Sequence, residues 1–102
     1  MKIYNKLVRD RIPTIINASG GECEFRVATT EEMSDLLLEK LREEVEELIE
    51  NPNTEEIAVV LEVLETIAKV KNISLEDIRL VKVNKKRNRG GFKNKIVLLQ
   101  TN

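Results

Sequence analysis

The chain has 102 residues, 41% of them apolar, only three aromatics, one cysteine, no histidine and a net charge of −1. That length is one domain, residues 1–102, with a core built from Ile, Leu and Val, and the missing histidine excludes Ser-His-Asp and Cys-His catalysis and His-ligated zinc. A lone Cys23 forms no intrachain disulfide and suits a reducing cytoplasm, where it reads as a small hydrophobe. No apolar run is long enough to span a membrane, and the first residues have no apolar signal core.

In chain order, Asp10 is the expected N-cap of a short helix with Pro13 in its first turn, ending near Gly20-Gly21. Residues 23–28 (Cys23-Glu24-Phe25-Arg26-Val27-Ala28) alternate apolar and polar as a short strand does. Thr29-Thr30-Glu31-Glu32 fits a capping box and starts a long helix. Its apolar stripe is Met33, Leu37, Leu38, Leu41, Val45, Leu48 and Ile49. Asn51-Pro52-Asn53 ends that helix. Thr54 is the expected cap of a second long helix, about residues 55–70, with Ile57, Val60, Leu61, Leu64, Ile67 and Ala68 toward the core. So short a connection predicts an antiparallel hairpin. Ser74 caps a further helix that ends near Gly90-Gly91. Lys95-Ile96-Val97-Leu98-Leu99 reads as a closing strand, with residues 23–28 as its candidate partner. The fold class is therefore all-α with a minor two-stranded β element, and the apolar stripes of so few helices call for at least a homodimer.

Charge is sorted along the chain. Residues 31–77 hold 15 of the 18 acidic side chains and four basic ones, whereas residues 78–102 hold eight Lys/Arg and no acid. Carboxylates suit hard cations such as Mg²⁺ or Mn²⁺, and Lys/Arg beside a flexible backbone suit phosphate. Glu43-Glu44-Val45-Glu46-Glu47 contains E-E-x-x-E, which puts Glu43, Glu44 and Glu47 within an arc of about 100° beside the apolar stripe. Carboxylates that close repel one another unless a cation sits among them. Glu is also a good helix former, so a solvated acidic face is the competing explanation. On the second long helix Glu56 lies on the flank of the stripe, and Glu62 and Glu65 lie further round. Carboxylates from two paired helices at one seam are how helical bundles build metal sites. In the tail, Lys82, Lys85, Lys86, Arg87 and Arg89 precede Gly90-Gly91-Phe92. The acidic neighbour and the scarcity of aromatics favour a small nucleotide's phosphate over nucleic acid.

Tyr4-Asn5-Lys6-Leu7-Val8-Arg9-Asp10-Arg11-Ile12-Pro13, Glu43-Glu44-Val45-Glu46-Glu47, Glu55-Glu56-Ile57-Ala58 and Arg89-Gly90-Gly91-Phe92 occur in this order. Together they resemble the small phosphoribosyl-ATP pyrophosphohydrolase-like proteins of the MazG-type, all-α NTP pyrophosphatase superfamily. The resemblance implies Mg²⁺-dependent cleavage between the α- and β-phosphates of a nucleotide, in a homodimer or homotetramer. It implies metal ligation and catalysis by Glu43, Glu44 and Glu47, with Glu56 from E-x-x-D on the next helix. Lys86 and Arg89 would bind phosphate, and Arg9 and Asp10, inside the most specific motif, would lie near the nucleotide. The sequence departs from the pattern at the Asp of E-x-x-D, which is Val59 and cannot ligate a metal. Val59 favours one alternative, a nucleotide- or metal-binding module without turnover; the cationic residues 82–95 leave another, a small nucleic-acid-binding or protein-partner domain.

Overall fold

Four helices make up the regular structure of the computed structural model, which describes residues 2–102: α1 (Ile12–Ala18), α2 (Met33–Glu50), α3 (Thr54–Val70) and α4 (Leu75–Arg89). None is long and apolar enough to cross a membrane. The capping box read from the sequence forms in the turn that leads into α2, whose first residue is Met33. The Thr29 N–H donates to Glu32 Oε1 at 2.9 Å and the Glu32 N–H donates back to Thr29 Oγ1 at 3.3 Å. At the start of α4, Ser74 Oγ accepts from the Asp77 N–H, and at its end Gly90 takes φ 82°, a left-handed value that favours glycine. Between α3 and α4 the chain turns through a Schellman motif. The Ile73 N–H reaches the Ala68 carbonyl at 2.8 Å, and Asn72 supplies the left-handed residue at φ 57°.

Two expected caps differ. Asn53, in extended conformation, caps α3 by accepting the Glu56 N–H at 2.9 Å, and Thr54 is the first helical residue. An Asn side chain is at least as good an N-cap as Thr. Asp10 does not cap α1; Arg11 precedes that helix with helical backbone and no side-chain bond.

The β element does not form among the described residues. Segments 23–28 and 95–99 form no strand and pair with nothing, Lys95 takes a left-handed φ of 59°, and Phe25, Val27, Ile96, Val97, Leu98 and Leu99 are exposed. Cys23 is a free thiol and is exposed too. Alternating apolar residues make a strand only where a second edge accepts their hydrogen bonds, and an isolated two-stranded ribbon is marginal in water.

α2 and α3 pack as the antiparallel hairpin, and α4 touches α3 alone. The core of this hairpin is small: Leu37, Val63 and Ala68 are its buried hydrophobes, with the half-buried Val59, Val60 and Ile67 beside them. On α3 the buried face is therefore rotated from the expected stripe, and Ile57, Leu61 and Leu64 point to solvent. The reason is that α3 is apolar on two faces and a single partner helix covers one. Most of α4 is uncovered as well, with Ile78, Leu80, Val81 and Val83 exposed.

Candidate metal centre

Glu44 sits seven residues after Leu37, so both lie on the α2 face that meets α3, and the carboxylate is buried at 7% exposure. Its position is within the packed stripe rather than on the flank. Glu47 follows one turn later at the exposed edge of the seam. Across from them, the Asn53 cap places Glu56 at the third position of α3, where the N-terminal helix dipole favours a carboxylate. One oxygen each from Glu44, Glu47 and Glu56 lies within 4.8 Å of the others. Glu56 Oε2 is shut off from solvent and has no hydrogen-bond partner. A buried carboxylate oxygen without a donor costs free energy, and a cation shared by the three groups would remove that cost.

Glu43 belongs to the same motif but lies outside the three-carboxylate group, on the adjoining face of α2, where Lys6 Nζ approaches Glu43 Oε1 at 2.6 Å. Lys40 bridges the two halves of the cluster, 3.2 Å from Glu44 and 3.7 Å from Glu43. The Lys6 bond and the Lys40 charge hold the Glu43 carboxyl below the ordinary carboxylate range. Glu47 behaves oppositely. A hydrogen bond shared with Glu44, followed by the charge of Glu44 itself, raises the Glu47 carboxyl above that range. A carboxyl raised by a neighbouring carboxylate marks a place short of positive charge.

These opposite shifts act on stability with opposite signs. A lowered native pKa, as at Glu43, contributes stability that is lost as pH falls through the native value. With its pKa raised, native Glu47 holds its proton more tightly than the unfolded chain does. Stability is lost there as pH rises from the unfolded value through the raised one. In metal-free protein, Glu47→Gln is therefore expected to melt above wild type at neutral pH, with the two melting curves converging in acid. A variant that melts with or below wild type at neutral pH would contradict the repulsion.

The remaining residues expected at the site are elsewhere. Lys86 and Arg89 are exposed at the far end of α4, which does not meet α2, so one protomer does not bring them to the glutamates. Arg9 and Asp10 are exposed before α1 and form no ion pair among the described residues. Glu62 is exposed and accepts from the Thr66 hydroxyl at 3.3 Å, and Glu55 is exposed. Val59 is half-buried on the Glu56 face, one turn on. Sequence reasoning missed Lys6 and Lys40. The four-residue spacing from Lys40 to Glu44 was available as a signal. The Lys6–Glu43 contact spans 37 positions and leaves no periodic trace.

Between the irregular segment 4–7, where Asn5 takes φ 46°, and the outer face of α2 runs a groove of about 400 Å³, lined by Tyr4, Lys6, Leu36, Lys40, Arg42 and Glu43 among others. It reaches the acidic cluster through Glu43 and Lys40, with Glu44, Glu47 and Glu56 outside its lining, and is large enough for part of a nucleotide. Comparison with protein-family models, with curated proteins and with solved structures finds no match for this chain. The fold and site thus describe an all-helical protein with a carboxylate cluster in the seam of a helical hairpin.

Proposed function

We propose that the chain is a Mg²⁺-dependent nucleotide pyrophosphohydrolase, cleaving a nucleoside triphosphate or a phosphoribosyl-ATP-like substrate into a monophosphate and pyrophosphate. The observation that carries this reading is the convergence of Glu44, Glu47 and Glu56 within 4.8 Å around a buried, unpaired carboxylate oxygen. All-oxygen donors fit Mg²⁺ or Mn²⁺, with Glu43 at the rim as a further ligand. Bound there, the metal supplies Lewis-acid polarisation of the phosphates and a more acidic water. The chain's own part is to hold the donors in place, through the Asn53 cap for Glu56 and through the packed stripe for Glu44. In this reading Glu47, at the exposed edge, would accept a proton from the attacking water.

The catalytic unit in this reading is a homodimer or homotetramer in the cytoplasm. The chain exposes 9638 Å², where a compact monomer of 11.7 kDa exposes about 5,900 Å². Its Cα radius of gyration is 18.2 Å, against about 13 Å for a compact domain of this length. Both excesses are what a subunit shows when drawn apart from its partners. The test is pyrophosphate release from NTPs, dNTPs and phosphoribosyl-ATP with Mg²⁺, with Mn²⁺ and with EDTA. Release with metal and none with EDTA supports the reading; no release from any of them rejects it.

Val59 favours a second reading, a nucleotide- or metal-binding module that has lost turnover. It lies on the same α3 face as Glu56, where an aspartate would add an oxygen donor. If the reading holds, Val59→Asp is expected to tighten Mg²⁺ binding and to raise pyrophosphate release at least about tenfold, within the range a ligand environment controls. A variant that binds and turns over no better than wild type removes Val59 as the explanation.

A further inference from the structure

We propose that Lys6, carried on the irregular segment Tyr4–Leu7, is a phosphate-binding residue of the acidic site, the role that Lys86 and Arg89 cannot fill within one protomer. The proposal rests on the metal reading above. It begins from a charge balance. Glu43, Glu44, Glu47 and Glu56 bring four negative charges, and the two cations in contact with them are Lys6 and Lys40. The difference is two, which one divalent cation neutralises.

The two lysines are not equivalent. The Lys40 side chain is only 14% exposed and lies between Glu43 and Glu44 on its own helix, so it is committed to the cluster. The Lys6 side chain is 38% exposed and comes from a separate segment of the chain. Its ammonium lies 2.6 Å from Glu43 and lines the groove that reaches the cluster through Glu43 and Lys40. Glu43 thus has two ammonium partners for one charge. Once a divalent cation draws on Glu43, the outer of these partners, Lys6, is the one with room to turn. A lysine is a compact charge on a flexible stem, suited to following a phosphate oxygen. The groove puts that oxygen within its reach on the same side as Glu43. Lys6 would otherwise be a pin holding segment 4–7 against α2, and the test separates the two roles.

Calorimetric titration of wild type, Lys6→Met and Lys6→Arg is made first with Mg²⁺ alone and then with inorganic pyrophosphate at saturating Mg²⁺. Circular dichroism checks that each variant is folded. Lys6→Met is expected to bind Mg²⁺ as tightly as wild type or several-fold tighter, because a competitor for Glu43 is gone. Its affinity for pyrophosphate is expected to fall about ten- to a hundredfold, as loss of a charged hydrogen bond predicts, with Lys6→Arg restoring most of it. Unchanged pyrophosphate affinity overturns the proposal. Equal loss of Mg²⁺ and pyrophosphate, or loss of fold, overturns it in favour of the pin. Wild-type protein that takes up no Mg²⁺ overturns the metal reading itself, and shows this in the first titration, before Lys6 is altered.

Discussion

Glu44→Gln is expected to abolish Mg²⁺-dependent pyrophosphate release while leaving the protein folded. Glutamine keeps the shape of the side chain and one oxygen donor but removes the charge. Glu44 is the buried member of the cluster, so its charge is the least screened by water. Losing a charged ligand should weaken Mg²⁺ binding by more than the roughly 10–100-fold that loss of an outer hydrogen-bond partner costs. The fold should tolerate the change for two reasons. Lys40 keeps Glu43 as a partner at 3.7 Å, and Glu47 is relieved of the neighbour that raises its pKa. Calorimetry with Mg²⁺, thermal melting without metal and a pyrophosphate assay read the three consequences separately. Retained Mg²⁺ affinity would show that the glutamates form only a solvated acidic face. A variant that unfolds would show that Glu44 is held for its pair with Lys40.

If the chain assembles as proposed, Leu61→Glu combined with Leu64→Lys is expected to break the oligomer and to destabilise the chain with it. Ile57, Leu61 and Leu64 repeat at i, i+4 and i+7, the spacing of a helix face made to be covered, yet Leu61 is 54% and Leu64 45% exposed. Covering a leucine is worth about 1.5–3 kcal/mol, and a stable interface needs about 800 Å² from each partner. The surface excess of this chain over a compact monomer is several times that. Light scattering coupled to size exclusion should give wild type at two or four times 11.7 kDa and the double variant at or near one, with a lower melting temperature. A monomeric wild type with undiminished stability would reject the oligomer. Glu44, Glu47 and Glu56 lie within one hairpin, so Mg²⁺ uptake by the double variant, if folded, would locate the metal centre in a single subunit.

Local signals survived folding where their partners are close in sequence. The Thr29–Glu32 box, the Ser74 cap, the Gly90 terminus and the stop at Asn51-Pro52-Asn53 each need only neighbours within a few residues. Asn53 in place of Thr54 is a one-residue error of the ordinary kind at helix ends. The strands failed for the opposite reason, because alternation describes one edge and a sheet needs two.

By itself, the sequence determined the helical hairpin, its caps, the crowding of Glu43, Glu44 and Glu47 on one part of a helix, and the absence of histidine chemistry. Helical periodicity and capping act over one or two turns, and composition is complete once the chain is written. Tertiary structure alone decided that Glu56 comes within 4.8 Å of Glu44 and Glu47, that Glu43 pairs with Lys6, and that Lys86 and Arg89 stay apart from them. It also decided which apolar face of α3 was covered. Those outcomes depend on how one helix rotates against another, and a helix apolar on two faces leaves that rotation open until a partner fills one of them.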